Sequence, residues 1–219
     1  MADSKALGHD DSSGFNFVKE MLAGQVTAAV NFDRLQKHPD RGYIIFEFLK
    51  CEEGRTVTPY TSHPDRYWDK NSGKLLALWR AKQDFDATLY LVNYAEKGTE
   101  HEDQVLLIEV FNMDEAGITD QKVTEFTRAG FSEWFARLNG QCLRSRDELI
   151  YEIYENQSVD RLGQLVLKNE EEHGGETLEA IYNRDAGYLR EYGETSKPYS
   201  KAVKCYLRKR MELHLRETM

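Results

Sequence analysis

The stretch "PDRGYIIFEFLKCEEG", residues 39–54, contains the strongest β-strand signal in the chain. Between residues 43 and 50 the chain is rich in isoleucine and aromatic residues on both faces, which is typical of a central strand covered on two sides. One acidic residue, Glu47, interrupts this apolar run. A buried carboxylate is costly unless it is paired, solvated or bound to a metal. We therefore expect Glu47 to have a partner or an opening to water.

The segments around this strand predict an α/β fold, a central mixed β-sheet flanked by helices. A long polar loop at residues 52–73 follows the strand, and loops of this length are uncommon unless they serve a site. Apolar spacing and strand propensity predict the other elements. The expected helices are 15–22, 74–85 and 121–138, and the expected further strands are 88–94 and 104–113, which we predict to pair with each other as a hairpin.

Beyond residue 143 no strand signal recurs, and the pattern predicts a helical C-terminal unit. Its last helix carries apolar residues four positions apart, which indicates one buried stripe. The members of this stripe are Val203, Leu207, Met211 and Leu215. We therefore divide the chain into a flexible polar arm (1–14), an α/β core (15–143) and a helical unit (144–219).

Composition limits the class of protein. The net charge is −9, which argues against a protein that coats nucleic acid by neutralising phosphates, although a metal-dependent nuclease needs an acidic site. No stretch approaches the roughly 20 apolar residues that span a bilayer, and the N-terminus lacks the basic-then-apolar order of a secretory signal. Three widely spaced cysteines indicate reduced thiols. We expect a cytoplasmic protein without a membrane partner.

Two acidic residues lie inside apolar strands. Strand alternation places Glu47 on the same face as Ile45 and Leu49, and Glu109 is embedded in the same way in a later strand. If the two carboxylates converged, their repulsion would be relieved by protonation or by a cation. Otherwise each would face water or an arginine.

The order of acids and elements resembles the PD-(D/E)xK nuclease superfamily. A helix carries Glu20, an acid (Asp33 or Asp40) precedes a strand, Glu47 lies within that strand, and a helix and another strand follow. The resemblance implies a restriction-endonuclease-like core and a Mg²⁺ ion that activates water for attack on a phosphodiester. It also implies Asp33 or Asp40 together with Glu47 as metal ligands, and Glu20 as an accessory acid.

The sequence departs from this family at the lysine of its motif. Two residues after Glu47, where the family has a catalytic lysine, this chain has Leu49. Lys50 points to the opposite face of the strand unless a bulge turns it. A lysine from the next segment, Lys70 or Lys74, could instead reach back into the site.

The loop sequence "TPYTSHPDRYWDK" (58–70) groups aromatic, basic and histidine side chains. Such rings stack on bases, and arginine grips phosphate, so the loop is a candidate for binding nucleic acid. The candidate contacts are His63, Arg66, Tyr67 and Trp68. The rings could instead anchor the loop to the core, and His63 could act as an acid or base or be merely solvated.

The C-terminal segment 197–219 carries seven basic and two acidic residues. Lys201, Lys204 and Arg208 recur at helical spacing and share one face. That face could bind a phosphate backbone, contact a protein partner or a second copy of the chain, or remain solvated.

These observations lead to two functional hypotheses. The first is a metal-dependent nuclease-like protein that acts on the phosphodiesters of nucleic acid with Mg²⁺. The second is a catalytically inactive protein of the same fold that uses the aromatic loop and the basic helix for binding or assembly. The embedded acids favour the first hypothesis, whereas Leu49 and the acidic net charge favour the second.

Overall fold

The structure, a computed structural model, describes residues 13–23, 25, 29–51, 57–168 and 172–218. The chain divides after Leu143 into two compact units, an α/β unit and a helical unit. Most of the polar arm expected at residues 1–14 lies outside the described residues, and the first helix, α1, spans Ser13–Leu22. No helix in the described part of the chain is long and apolar enough to cross a membrane.

A five-stranded mixed sheet forms the centre of the α/β unit, with its strands in sequence order. The second and third strands are parallel, and the other neighbouring pairs are antiparallel. The strands are β1 (Arg34–His38), β2 (Gly42–Lys50), β3 (Thr88–Tyr94), β4 (Gln104–Asp114) and β5 (Gly117–Thr127). This sheet, with helices on it, confirms the predicted α/β class, the central position of β2 and the hairpin of β3 with β4.

Helices cover both faces of the sheet. After a short 3-10 helix (Pro64–Tyr67), α2 (Trp68–Asp84) connects the parallel strands, and α3 (Arg128–Cys142) follows β5. Leu75 and Leu78 of α2 pack on the face that carries Ile45. Phe46 lies on the other face, where Trp134 and Phe135 of α3 contact its ring.

Three elements differ from the sequence-based expectation. The predicted helix 121–138 begins only at Arg128, because residues 117–127 pair with β4 as a tight hairpin. Gly117 permits this turn, since its φ of 149° is in the glycine-favouring region and the Asp65 carboxylate leaves little room for a side chain. The loop 52–73 ends earlier than predicted, because Pro64 starts a helical turn capped by His63. The polar edge strand β1 was missed.

The described residues of the helical unit form four helices around a core of their own, which includes Leu162, Ile181 and Tyr206. The helices are α4 (Arg146–Glu155), α5 (Val159–Gly163), α6 (Leu178–Gly193) and α7 (Ser200–Glu217). The predicted apolar stripe on the last helix is buried only in its first half. Val203 is fully buried, but Met211 is 60% exposed and Leu215 is 54% exposed, because α7 extends beyond this core.

Candidate active site

Glu47 is buried in the sheet and bonded to a lysine from the neighbouring helix. Its side chain is only 2% exposed, and it lies on the face of β2 that α2 covers. Nζ of Lys74, on α2, donates a hydrogen bond to Oε1 of Glu47. The other carboxylate oxygen, Oε2, is buried and has no hydrogen-bond partner among the described residues. The site therefore has one satisfied oxygen and one buried oxygen that can still accept a ligand.

The crossover from β2 to β3 explains why Lys74 reaches this carboxylate. Leu75 and Leu78 are buried against the sheet, which fixes the rotation of α2 about its axis. Lys74 directly precedes Leu75, so its backbone lies at the edge of the packed face while about half of its side chain remains exposed. A long aliphatic stem can follow an apolar surface and deliver its charge to a buried acid.

Asp33 is the second acid of the site. Strand β1 pairs with β2 so that Arg34 lies opposite Phe46, and one further step in the same antiparallel register brings Asp33 level with Glu47. The backbone N–H of Phe48 donates a hydrogen bond of 2.7 Å to Oδ2 of Asp33. Asp33 is exposed, so one carboxylate faces water while its neighbour is buried. The hairpin therefore brings together two of the acids that the sequence proposed.

The pKa of Glu47 reflects its burial and its two charged neighbours, Lys74 and Asp33. Burial raises the pKa of the Glu47 carboxyl above its ordinary value, and the hydrogen bond from Lys74 opposes that rise. The negative charge of Asp33 raises the pKa of Glu47 further. A cation near both acids would favour their ionised forms.

A cavity of about 420 Å³ opens where the parallel strands β2 and β3 end and α2 begins, and Lys74, the partner of Glu47, is part of its lining. In open α/β sheets ligands commonly bind outside the carboxyl ends of parallel strands. The polar and charged residues that line the cavity are Lys50, Ser62, Lys70, Asn71, Lys74 and Asn93. Three lysines and no acid line the cavity, and Lys70 is the one of the three without an ion pair among the described contacts. The cavity therefore offers the charge of Lys70 to an anion.

Asn93 is a site residue that sequence analysis missed. It lies opposite Leu49 on β3, is 1% exposed and donates to the carbonyl oxygens of Pro59 and Ser62. Its Oδ1 is buried without a hydrogen-bond partner in the described part of the chain. The signal was present in the sequence, because an amide within the apolar strand "TLYLVNY" is as unusual as the glutamate within β2.

Three other proposed residues of the metal and lysine set have no described contact with Asp33 or Glu47. Asp40 is in the turn between β1 and β2, at the opposite end of β2 from the cavity, where its backbone N–H donates to Nδ1 of His38. Lys50 lines the cavity, but its Nζ lies 3.6 Å from a carboxylate oxygen of Glu96. Glu20 is exposed on α1, and the described contacts of Asp33 and Glu47 do not include it.

The two embedded acids, Glu47 and Glu109, do not converge. In the strand register Glu109 lies opposite Tyr90, whose ring belongs to the face covered by α3, whereas Glu47 lies opposite Leu91 on the other face. An oxygen of Glu109 lies 3.6 Å from Nη2 of Arg41. Glu109 is therefore paired with an arginine, which was one of the two expectations for it.

The aromatic loop is anchored to the β4–β5 hairpin. Nε1 of Trp68 donates to the carbonyl oxygen of Glu115 at 2.8 Å, and Nε2 of His63 lies 2.8 Å from Oε1 of Gln121. These contacts occupy the ring nitrogen of Trp68 and one of the two ring nitrogens of His63. Arg66 is exposed, and Tyr67 lines the cavity beside Lys70.

The basic face of α7 is neutralised within its own unit. Each of the three proposed phosphate-binding cations is hydrogen-bonded to a carboxylate. The pairs are Lys201 with Asp147 at 2.7 Å, Lys204 with Glu194 at 3.1 Å, and Arg208 with Glu155 and, at 3.0 Å, with Glu212. The face consequently offers less positive charge to a phosphate backbone than its sequence indicated.

Comparison with known proteins adds nothing to this geometry, since no protein-family model, curated protein or solved structure matches the chain. The α/β fold is therefore established by the structure alone. The features of the α/β unit that bear on function are the pair Asp33 and Glu47, Lys74 and the cavity that Lys74 lines.

Proposed function

We propose that the protein is a metal-dependent nuclease-like protein that cleaves phosphodiesters of nucleic acid. The observation that carries the proposal is the hydrogen bond from Lys74 to Glu47. This bond brings a lysine of α2 to the acid pair. Strand β2 itself has Leu49 at the position where the nuclease motif has its lysine. The site then contains two carboxylates and one lysine, which are the residue types that the resemblance requires.

The acid pair fits a Mg²⁺ ion. Mg²⁺ is commonly held by one or two carboxylates, with water and substrate oxygens in its other positions. Asp33 and Glu47 provide the two carboxylates, and the unpartnered Oε2 of Glu47 provides a buried oxygen that a cation would satisfy. When bound, the ion supplies a Lewis acid and lowers the pKa of coordinated water.

The residues of this chain have separate tasks in the proposed site. Asp33 and Glu47 orient the ion, and Glu47 is itself held by Lys74 through Oε1. Lys74, which also lines the cavity, stabilises negative charge on the phosphate that reacts. Lys70 attracts the neighbouring phosphate electrostatically, whereas Lys50 is paired with Glu96. Leu75 and Pro64, both buried, form part of an apolar wall.

A second candidate is the inactive binding or assembly protein of the same fold. It is favoured by the 2% exposure of Glu47 together with its bond to Lys74, because a carboxylate paired in this way needs no metal. In this case the cationic cavity would bind an anionic segment of a nucleic acid or protein partner without cleaving it.

Metal binding separates the two candidates. Calorimetric titration of the full chain with Mg²⁺ should show binding that is lost in Asp33→Asn and Glu47→Gln. Asp40→Asn is the matched control, since Asp40 is an exposed acid before the same strand but lies at its other end. Absence of metal binding by the wild type, or equal losses in Asp33→Asn and Asp40→Asn, would leave only the second candidate.

A further inference from the structure

A buried histidine in the helical unit has an unsatisfied ring nitrogen. His173 lies in the turn before α6 and is 5% exposed. Its Nε2 is buried without a hydrogen-bond partner among the described residues, and it lies 3.9 Å from Oδ2 of Asp185. This distance is too long for a hydrogen bond. A buried polar atom without a partner is unusual enough to require an explanation.

Asp185 is held so that one of its oxygens faces this nitrogen. Its backbone has φ −146° and ψ 75°, which interrupts α6. Oδ1 of Asp185 accepts a hydrogen bond of 3.0 Å from the backbone N–H of Tyr188, in the manner of a helix N-cap for the following turns. Oδ2 therefore remains available on the side of His173.

A third ligand atom completes the cluster. Glu172 precedes His173 and is exposed, and one ligand atom from each of Glu172, His173 and Asp185 lies within 4.8 Å of the others. Two ligand atoms on a tetrahedral zinc ion are about 3.4 Å apart, given bond lengths of about 2.0–2.1 Å. The pair at 3.9 Å is already near that separation, and an exposed glutamate can adjust its rotamer.

The opposite ring nitrogen has a carboxylate that can fix the required tautomer. Nδ1 of His173 lies 3.2 Å from Oε1 of Glu176 and 2.8 Å from Nη2 of Arg184. In this structure Nδ1 accepts from Arg184, which can only donate, so Nε2 carries the ring proton. Zinc at Nε2 requires the other tautomer, in which Arg184, 60% exposed, turns away from the ring and Nδ1–H donates to Glu176. Metal-bound histidines commonly donate their other N–H to a carboxylate in this way. Arg184 remains paired with Glu176, to which it donates at 2.5 Å.

We propose that Glu172, His173 and Asp185 form a binding site for a divalent transition-metal ion, with Zn²⁺ as the cation that fits best. One imidazole with two carboxylates suits zinc, whereas Mg²⁺ strongly prefers oxygen ligands. Glu176 acts as the positioning residue that orients the imidazole. Three protein ligands leave a fourth position for water. The ion would tie the turn before α6 to Asp185 and thereby stabilise the helical unit. This site is separate from the proposed nuclease site.

Calorimetric titration of the full chain with Zn²⁺ tests the proposal, and Glu47→Gln serves as the background so that the acid pair of the α/β unit does not contribute. We expect one zinc ion per chain. Asp185→Asn, which keeps an acceptor for the Tyr188 N–H, and Glu172→Gln should each weaken binding at least tenfold. Glu176→Gln should weaken it by about 10- to 100-fold, as is typical of residues that orient a ligand. Glu191→Gln, an exposed acid on α6 outside the cluster, should bind zinc as the background does.

A second measurement uses only the background protein, so it does not depend on whether the cluster variants fold. In ¹⁵N-edited NMR spectra of the Glu47→Gln protein, zinc should shift the resonance of Nε2 of His173 and move the ring proton from Nε2 to Nδ1. The proposal is overturned if the folded background protein takes up no zinc, if Asp185→Asn and Glu172→Gln bind as tightly as Glu191→Gln, or if Nε2 keeps its proton in the presence of zinc.

Discussion

Lys74 of α2 donates a hydrogen bond through Nζ to Oε1 of Glu47 on β2, across 27 positions of sequence. A glutamate inside an apolar strand thus obtains its partner from the helix that covers it. The same contact delivers a lysine to the acid pair formed by Asp33 and Glu47, although the strand has Leu49 where the nuclease motif has lysine. This relationship underlies both the stability of the site and its proposed chemistry.

Replacing Lys74 with methionine should destabilise the α/β unit. The substitution keeps most of the apolar stem but removes the hydrogen bond to Glu47, so we expect a loss of about 1–3 kcal/mol in the free energy of unfolding. Urea denaturation at neutral pH measures this. Lys70→Met, one turn earlier on α2, is the control, since the described contacts give Lys70 no ion pair. Equal stability of the two variants would show that the Lys74 contact contributes little.

The raised pKa of Glu47 predicts how Glu47→Gln changes stability with pH. Because the folded-state pKa lies above the ordinary value of 4.5, folding favours the protonated acid. The wild type therefore loses stability relative to Glu47→Gln as the pH rises from the ordinary pKa of glutamate through the raised pKa of Glu47. Thermal unfolding of both proteins between about pH 4 and pH 7 measures the difference. A stability difference that stays constant over this pH range, or one that changes in favour of the wild type as the pH rises, contradicts the raised pKa of Glu47.

Trp68→Phe tests whether the aromatic loop is anchored as the structure indicates. The substitution removes the indole N–H that donates to the carbonyl oxygen of Glu115, so the free energy of unfolding should fall by about 1 kcal/mol. Nucleic-acid affinity, measured by fluorescence anisotropy, should stay unchanged. Unchanged stability together with weaker binding would instead identify Trp68 as a base-stacking residue.

A lysine without a carboxylate partner is a better candidate for contacting phosphate than a paired one. Lys70 lines the cavity, whereas Lys201 on α7 is bonded to Asp147. Lys70→Ala should weaken nucleic-acid binding at all sequences and reduce the slope of log affinity against log salt by about one. Lys201→Ala should change neither quantity. Fluorescence anisotropy at several salt concentrations measures the affinity and the slope. Weaker binding in Lys201→Ala and unchanged binding in Lys70→Ala would identify the basic face of α7 as the binding surface.

Much of the fold was predictable because its elements have strong local patterns. Strand β2, strand β3 and helix α2 carry apolar runs or helical spacing that tertiary contacts did not override. The strand β5 was not predictable, because its polar, partly exposed residues have little apolar periodicity and its geometry depends on the turn at Gly117. The polar edge strand β1 was missed for the same reason, since only its pairing with β2 identifies it.

The candidate site was predictable only in part. Glu47 was visible as a charge in an apolar strand, but the choice between Asp33 and Asp40 depends on the hairpin register, which only the structure reveals. The choice among the candidate lysines depends on the rotation of α2, which is fixed by long-range packing of Leu75. The partners that neutralise α7 were equally invisible, because Asp147 and Glu155 lie far from it in sequence.

The most direct test of the proposed function is the rate of Mg²⁺-dependent cleavage of DNA and RNA by the wild type and by Lys74→Met. We predict cleavage by the wild type and a loss of about 100-fold or more in Lys74→Met, because the lysine stabilises charge in the transition state. At saturating nucleic acid, Lys70→Met should retain most of the rate, because Lys70 is expected to act on binding and not on the chemical step. Absence of cleavage by the wild type, or equal rates for Lys74→Met and Lys70→Met, would contradict the claim that Lys74 completes a nuclease site.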